Sequence, residues 1–175
     1  MNRYPEGMRR AAGFTLIEIL IVVGLIGLLM AIGIPNYARW RSAEQAREVA
    51  QQLSNVMTVA RTEARRSNSV RRVDLTTTGL KVTPYTVSSA GVWTAGTAKS
   101  YAWSTPATVT STETSVFFSA PYGTLHLLPK TGQTSNGLFR EGAVDTANQP
   151  VFTIKRNSAE RKVQMLGVFG KPIVQ

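Results

Sequence analysis

Residues Phe14 to Ile34 form a run of 21 residues that is apolar almost throughout, with one carboxylate, Glu18, inside it. As an α-helix at ~1.5 Å per residue it would reach about 31 Å, the thickness of one hydrocarbon core. A soluble single domain spreads its apolar residues more evenly. Here the rest of the chain is polar and rich in Thr, Ser and Gly. The total of 175 residues leaves room for one modest globular domain beside this segment.

Three readings compete for the segment. A secretory signal has a shorter apolar core and a small-x-small cleavage site after it, and no convincing site follows here. A plain single-pass anchor fits the length but leaves Glu18 unexplained. A carboxylate in hydrocarbon costs about 2.5–3.5 kcal/mol on insertion scales, so it needs a partner. No cation lies within a helical turn of Glu18 in the uncut chain. Cutting after Gly13 would supply one, the new α-amino group of Phe14. The third reading is therefore a processed anchor, with Glu18 matched to a charge that exists only after the cut. The polar stretch 1–13 carries Arg3, Arg9 and Arg10 against Glu6, which favours a cytoplasmic N-terminus and translocation of the bulk of the chain.

The basic leader, Gly13, Phe14-Thr15-Leu16-Ile17-Glu18 and the long apolar run together resemble the class III signal of type IV prepilins and type II secretion pseudopilins. The resemblance implies cleavage between Gly13 and Phe14 by a prepilin peptidase, N-methylation of Phe14, and a meeting of Glu18 with the terminal amine of a neighbouring subunit during assembly. Pro35 matches the helix-kinking proline of many of these proteins. Pro35 also lacks an amide hydrogen and crowds the preceding turn, so a kink or local unwinding is expected there on steric grounds.

Beyond Pro35 the pattern becomes amphipathic. Tyr37, Trp40, Ala43, Ala46, Ala50, Leu53, Met57, Ala60 and Ala64 recur at spacings of three and four, which places them on one helical stripe. Such a stripe needs an apolar partner, most simply a sheet of the same chain. Arg61, Arg65 and Arg66 close the helix where its dipole favours cations. The segment Val49 to Leu75 is similar to the GspH/FimT branch of pseudopilins and minor pilins, through Leu53, Ala60-Arg61, Glu63-Ala64 and the basic stretch Val70 to Leu75.

After Asn68, short runs of β-branched and aromatic residues alternate with Gly, Pro and Ser/Thr turns. They predict strands at Ser69–Leu75, Leu80–Ser88, Lys99–Trp103, Ser115–Ser119, Thr124–Leu128, Val151–Arg156 and Arg161–Phe169. Ser115 to Leu128 reads as a hairpin around Ala120-Pro121-Tyr122-Gly123, and FFSAPYGTL is similar to the hairpin of GspH-like domains. Residues 104–114 and 129–149 read as loops. The expected fold is α+β and pilin-like: leader 1–13, filament-core helix 14–34, amphipathic helix 35–67, and an antiparallel β-domain 68–175.

No enzyme constellation stands out. The chain has no cysteine, which excludes disulfides and thiolate chemistry. His126, the single histidine, reads as pointing off a strand rather than as a catalytic or metal-binding group. No metal-ligand spacing or phosphate loop appears, so no cofactor is expected. The net charge is +10, carried partly by two groups: Arg61, Arg65, Arg66, Arg71 and Arg72, then Lys155, Arg156, Arg161 and Lys162. On opposing strands these would merge into a patch suited to a phosphate backbone. Some FimT-like minor pilins bind DNA through basic residues near the C-terminus. The tail GVFGKPIVQ has only Lys171, which weakens that feature here. The reading is a minor pilin or pseudopilin: an inner-membrane protein with the β-domain in the periplasm, partnered by other subunits and the peptidase, then placed in a pilus or pseudopilus. DNA uptake is the alternative. Mass spectrometry of the mature polypeptide from its host should show Phe14 as first residue, carrying one methyl group; an intact leader would overturn the reading.

Overall fold

The computed structural model describes residues 14–129, 136–139 and 149–175. The leader, with Gly13, and most of the loop expected at 129–149 lie outside these residues. Helix α1 runs from Leu16 to Arg66, and the chain divides into two compact units, Met1–Ala38 and Arg39–Gln175.

In the first unit every described residue is exposed, including Leu16 at 83%, Leu29 at 68% and Ile34 at 66%. Thr15 starts the helix as its N-cap, accepting a hydrogen bond from the Glu18 amide on its Oγ1 at 3.3 Å. Pro35 lies inside α1, which is assigned without a break. Having no amide hydrogen, it leaves the Ala31 carbonyl without its usual donor.

In the second unit one face of the helix is buried: Ser42, Ala46, Val49, Ala50, Leu53, Val56, Met57, Ala60 and Ala64. The expected stripe holds from Ala46 onward. Tyr37 and Trp40 depart from it, at 60% and 62% exposed. They keep the helical period but precede the first buried position, Ser42. The helix stops where Asn68 adopts φ 45°, and the Ser69 amide closes the turn on the Ala64 carbonyl at 3.2 Å.

Among the described residues ten strands follow in two antiparallel sheets. The first contains β1 (Val70–Thr76), β2 (Gly79–Val87), β3 (Trp93–Ala95), β4 (Lys99–Ala102), β6 (Ser115–Ser119) and β7 (Thr124–Leu127), ordered β3-β2-β1-β6-β7 with β4 also on β2. The second contains β5 (Thr108–Ser111), β8 (Val151–Arg156), β9 (Ala159–Leu166) and β10 (Lys171–Val174), ordered β10-β9-β8-β5. The long α-helix on antiparallel sheets is the expected α+β, pilin-like architecture. The expected loop at 104–114 is corrected, because it contains β5, paired with β8 from Thr108↔Lys155 to Ser111↔Phe152. Within β5 only Val109 is apolar. Strands β3 and β10 were also not anticipated; both are short.

One core cluster joins the helix stripe to both sheets, through Val73, Val116, Phe118, Leu125, Phe152, Ile154, Val163 and Met165. A second, smaller cluster of Val70, Phe117 and Phe139 also forms, with Phe117 alternating against its core-facing neighbours Val116 and Phe118. Hairpin β6–β7 has the expected register, from Val116↔Leu127 to Ser119↔Thr124, and Gly123 turns it at φ 70°. A Cβ there would meet the Arg61 side chain at 2.7 Å. Leu53 is fully buried at the centre of the stripe. Leu53→Ala should therefore destabilise the globular unit by about 2–5 kcal/mol, seen as a lower denaturation midpoint with the slope unchanged.

Candidate functional site

The residues expected to govern assembly begin at the first turn of α1. Phe14 is 79% exposed, and Thr15-Leu16-Ile17-Glu18 has the Thr-x-x-Glu spacing of a capping box. This signal was present in the sequence but unread. Glu18 stands at the third helical position, where the dipole of the helix favours a negative charge. The carboxylate therefore has a local structural role in addition to the one expected at assembly. The side chains that follow, from Ile19 to Ile34, are exposed, and α1 is the one helix among the described residues long and apolar enough to cross a membrane. Arg39 and Arg41 come five and seven residues after Ile34, so the charge asymmetry across the segment is smaller than the leader alone suggested.

The basic residues fall into two separated places. Arg61 and Arg65 pack their stems against the Gly123 turn, and the Arg61 guanidinium lies over the Phe169 ring at 5.3 Å. Arg66 is exposed beside them. Arg71 and Arg72 leave β1 on opposite faces. Arg71 reaches Glu63 at 3.5 Å and donates to Ser67 Oγ at 3.0 Å. Arg72 donates to Asp74 at 2.6 Å and covers Phe117 at 5.7 Å, while Ser115 donates a short hydrogen bond to the same carboxylate. Burial lowers the Arg72 pKa, but the hydrogen bond and charge of Asp74, helped by Tyr85, outweigh it and hold it above the ordinary value. The charge on Arg72 is thus fully present at neutral pH, and its contribution is lost as pH climbs through that raised value.

The second group lies on hairpin β8–β9. Lys155 and Lys162 flank Glu160 at 3.3 and 3.6 Å. Arg156 donates to Gln45 Oε1 at 3.1 Å, and Asn157 donates to Ser42 Oγ at 2.9 Å. Gln45 precedes Arg61 by 16 residues of helix, about 24 Å. The two groups therefore sit at opposite ends of the helix within the globular unit. They do not merge into one patch, because the first lies on the end of α1 and on β1 of the first sheet and the second on a hairpin of the second sheet.

His126 leaves β7 on the side of Phe117 and Phe139. Its Nε2 is 2.8 Å from Ser119 Oγ, and its ring lies 4.3 Å from that of Phe139. Ser119, His126 and Phe139 line a cleft of about 600 Å³ with Tyr85 and Trp93. Val70, Tyr85, Trp93 and Phe139 of that lining belong to the second apolar cluster. Among the described residues no group of three or more His, Cys, Asp or Glu converges as metal ligands.

Comparison with known proteins bears on the helix. Residues 8–34 match the prokaryotic N-terminal methylation motif. Over 53 residues the chain is 42% identical to a fimbrial protein of Pseudomonas aeruginosa, covering 30% of this chain and 34% of that protein. It is 43% identical over 49 residues to the type IV major pilin protein PilA of Myxococcus xanthus (strain DK1622), covering 28% and 22%. It is 42% identical over 50 residues to the type IV major fimbrial protein FimA of Dichelobacter nodosus, covering 29% and 32%. The chain thus spans about a third or less of the length of the curated relatives it matches. No solved structure matches it. Over less than a third of its length the chain is thus similar to type IV pilins, and it carries the N-terminal methylation motif.

The geometry generates a further expectation. Gly123→Ala forces a side chain into a positive-φ turn against Arg61, and should cost about 1–2 kcal/mol of stability by chemical denaturation.

Proposed function

We propose that this chain is a structural subunit of a type IV pilus or a type II secretion pseudopilus, of the GspH/FimT minor type. Its work is mechanical rather than catalytic. The segment Phe14–Ile34 stores the subunit in the inner membrane with the leader in the cytoplasm and the globular unit in the periplasm. A prepilin peptidase cuts after Gly13, Phe14 is N-methylated, and the segment leaves lipid to pack against those of other subunits. The observation that carries this reading is a helix, exposed on every face from Leu16 to Ile34, inside a matched methylation motif. The free energy of packing comes from covering that surface with like surfaces.

Glu18 provides the register in this reading, through its charge and the amine of Phe14 on a neighbour. Its capping position makes the test sharper. Glu18→Gln keeps a capping-box side chain but removes the charge, whereas Thr15→Ala removes the cap and keeps the charge. Glu18→Gln should remain membrane-bound and be absent from sheared filaments on immunoblotting. Thr15→Ala should still be incorporated. Incorporation of Glu18→Gln at the normal level would contradict the mechanism.

A second reading, DNA capture for uptake, draws on the end of the globular unit where Arg61, Arg65 and Arg66 have no ion pair among the described residues and Tyr122 is 68% exposed. In that reading, purified protein retards duplex DNA with affinity falling steeply as salt rises, and Arg61→Gln/Arg65→Gln abolishes the shift.

A further inference from the structure

The globular unit has a second basic end, at the opposite side from Arg61. Its helix enters with Arg39, Trp40 and Arg41, all exposed. Six residues take the chain from Ile34 to Trp40, about 9 Å as helix and at most about 20 Å if extended. Trp40 therefore stays close to the end of the apolar run whatever path the chain takes.

Hairpin β8–β9 returns to this same end. The bonds from Asn157 to Ser42 and from Arg156 to Gln45 tie its tip to the first turns after Trp40. The tie brings Arg156 to this end of the helix, with Arg161 on the same face of the hairpin, while Lys155, Glu160 and Lys162 lie on its other face. Glu160 sits between two lysines and cannot neutralise the hairpin alone. On the helix, Glu44 and Glu48 are set against Arg47 as well as the two entering arginines. The two segments together carry seven cations and three carboxylates, an excess of four. At the hairpin tip, a cleft of about 310 Å³ opens among Pro106, Thr108, Lys155, Arg156 and Asn157.

We infer that this end is a docking surface for anionic phospholipid headgroups, holding the globular unit against the bilayer that its apolar run crosses. The inference rests on the membrane-storage reading above. Lipid is the occupant because of what the chain itself places there. A tryptophan flanked by arginines suits the boundary between hydrocarbon and water. Cations held near an anionic leaflet are drawn to it. A tether of a few residues also gives the headgroups a high effective concentration, so little intrinsic affinity is required.

The lack of cysteine makes the test direct. A fluorophore on Ser158→Cys reports the exposed hairpin tip, and one on Thr62→Cys reports an exposed helix position about 30 Å from Ser42. The full chain is reconstituted in vesicles bearing a headgroup quencher, made of phosphatidylcholine alone or with phosphatidylglycerol. The Ser158 label should be quenched about threefold more with phosphatidylglycerol, and the Thr62 label should not. Near 1 M salt, with a Debye length of about 3 Å, the difference should vanish. Lys155→Gln/Arg161→Gln should reduce it at low salt. Equal quenching of the two labels, or Ser158 quenching indifferent to lipid charge and salt, would overturn the inference. Flotation with pure phosphatidylcholine vesicles at high salt reports the apolar run alone. Failure there refutes membrane storage, while the charge-dependent quenching judges the docking surface separately.

Discussion

One continuous helix has to satisfy two solvents. From Ser42 to Ala64 its small and branched residues meet side chains from both sheets, and that contact is the spine of the only large core in the described residues. From Leu16 to Ile34 the same helix has no protein covering it at all. The sheets depend on the stretch from Ser42 to Ala64, since neither has a full apolar partner other than the helix. The stretch from Leu16 to Ile34 is left for contacts outside the chain. The alanines matter here, because Ala46, Ala50, Ala60 and Ala64 let strands approach the helix axis closely, leaving Leu53 and Met57 to fill the wider centre.

Much of this was legible beforehand. Strands β6 and β8 were read to the residue, because Ser115–Ser119 and Val151–Arg156 concentrate aromatic and branched residues between turn signals. The helix stripe was read from Ala46 onward by period alone. Period could not say where the protein core ends, so Tyr37 and Trp40 joined the stripe although no core residue precedes Ser42. The strands that escaped are short, and two carry little apolar signal. Thr108–Ser111 has one buried-side valine, and Lys171–Val174 contains a proline, tolerated on an edge strand with one neighbour.

The candidate sites divide in the same way. The expectation for Phe14 and Glu18 came from local sequence, because their chemistry is a matter of spacing along one turn. The division into two sheets rests on pairings between distant segments, and no local pattern reports them. For that reason the basic residues were grouped correctly by neighbourhood in the chain but not by position in space. Arg71 and Arg72 illustrate the limit: adjacent in sequence, they face opposite sides of β1 and are held by different acids, Glu63 and Asp74.

The hydrogen bond from the Glu18 amide to Thr15 Oγ1 has a consequence for maturation. In the proposed processing both capping partners lie downstream of the Gly13–Phe14 bond, so the cut keeps the N-cap hydrogen bond in the shortened polypeptide, with Phe14 and Thr15 ahead of Leu16. The new α-amino group then alters the charge at that end without removing the cap.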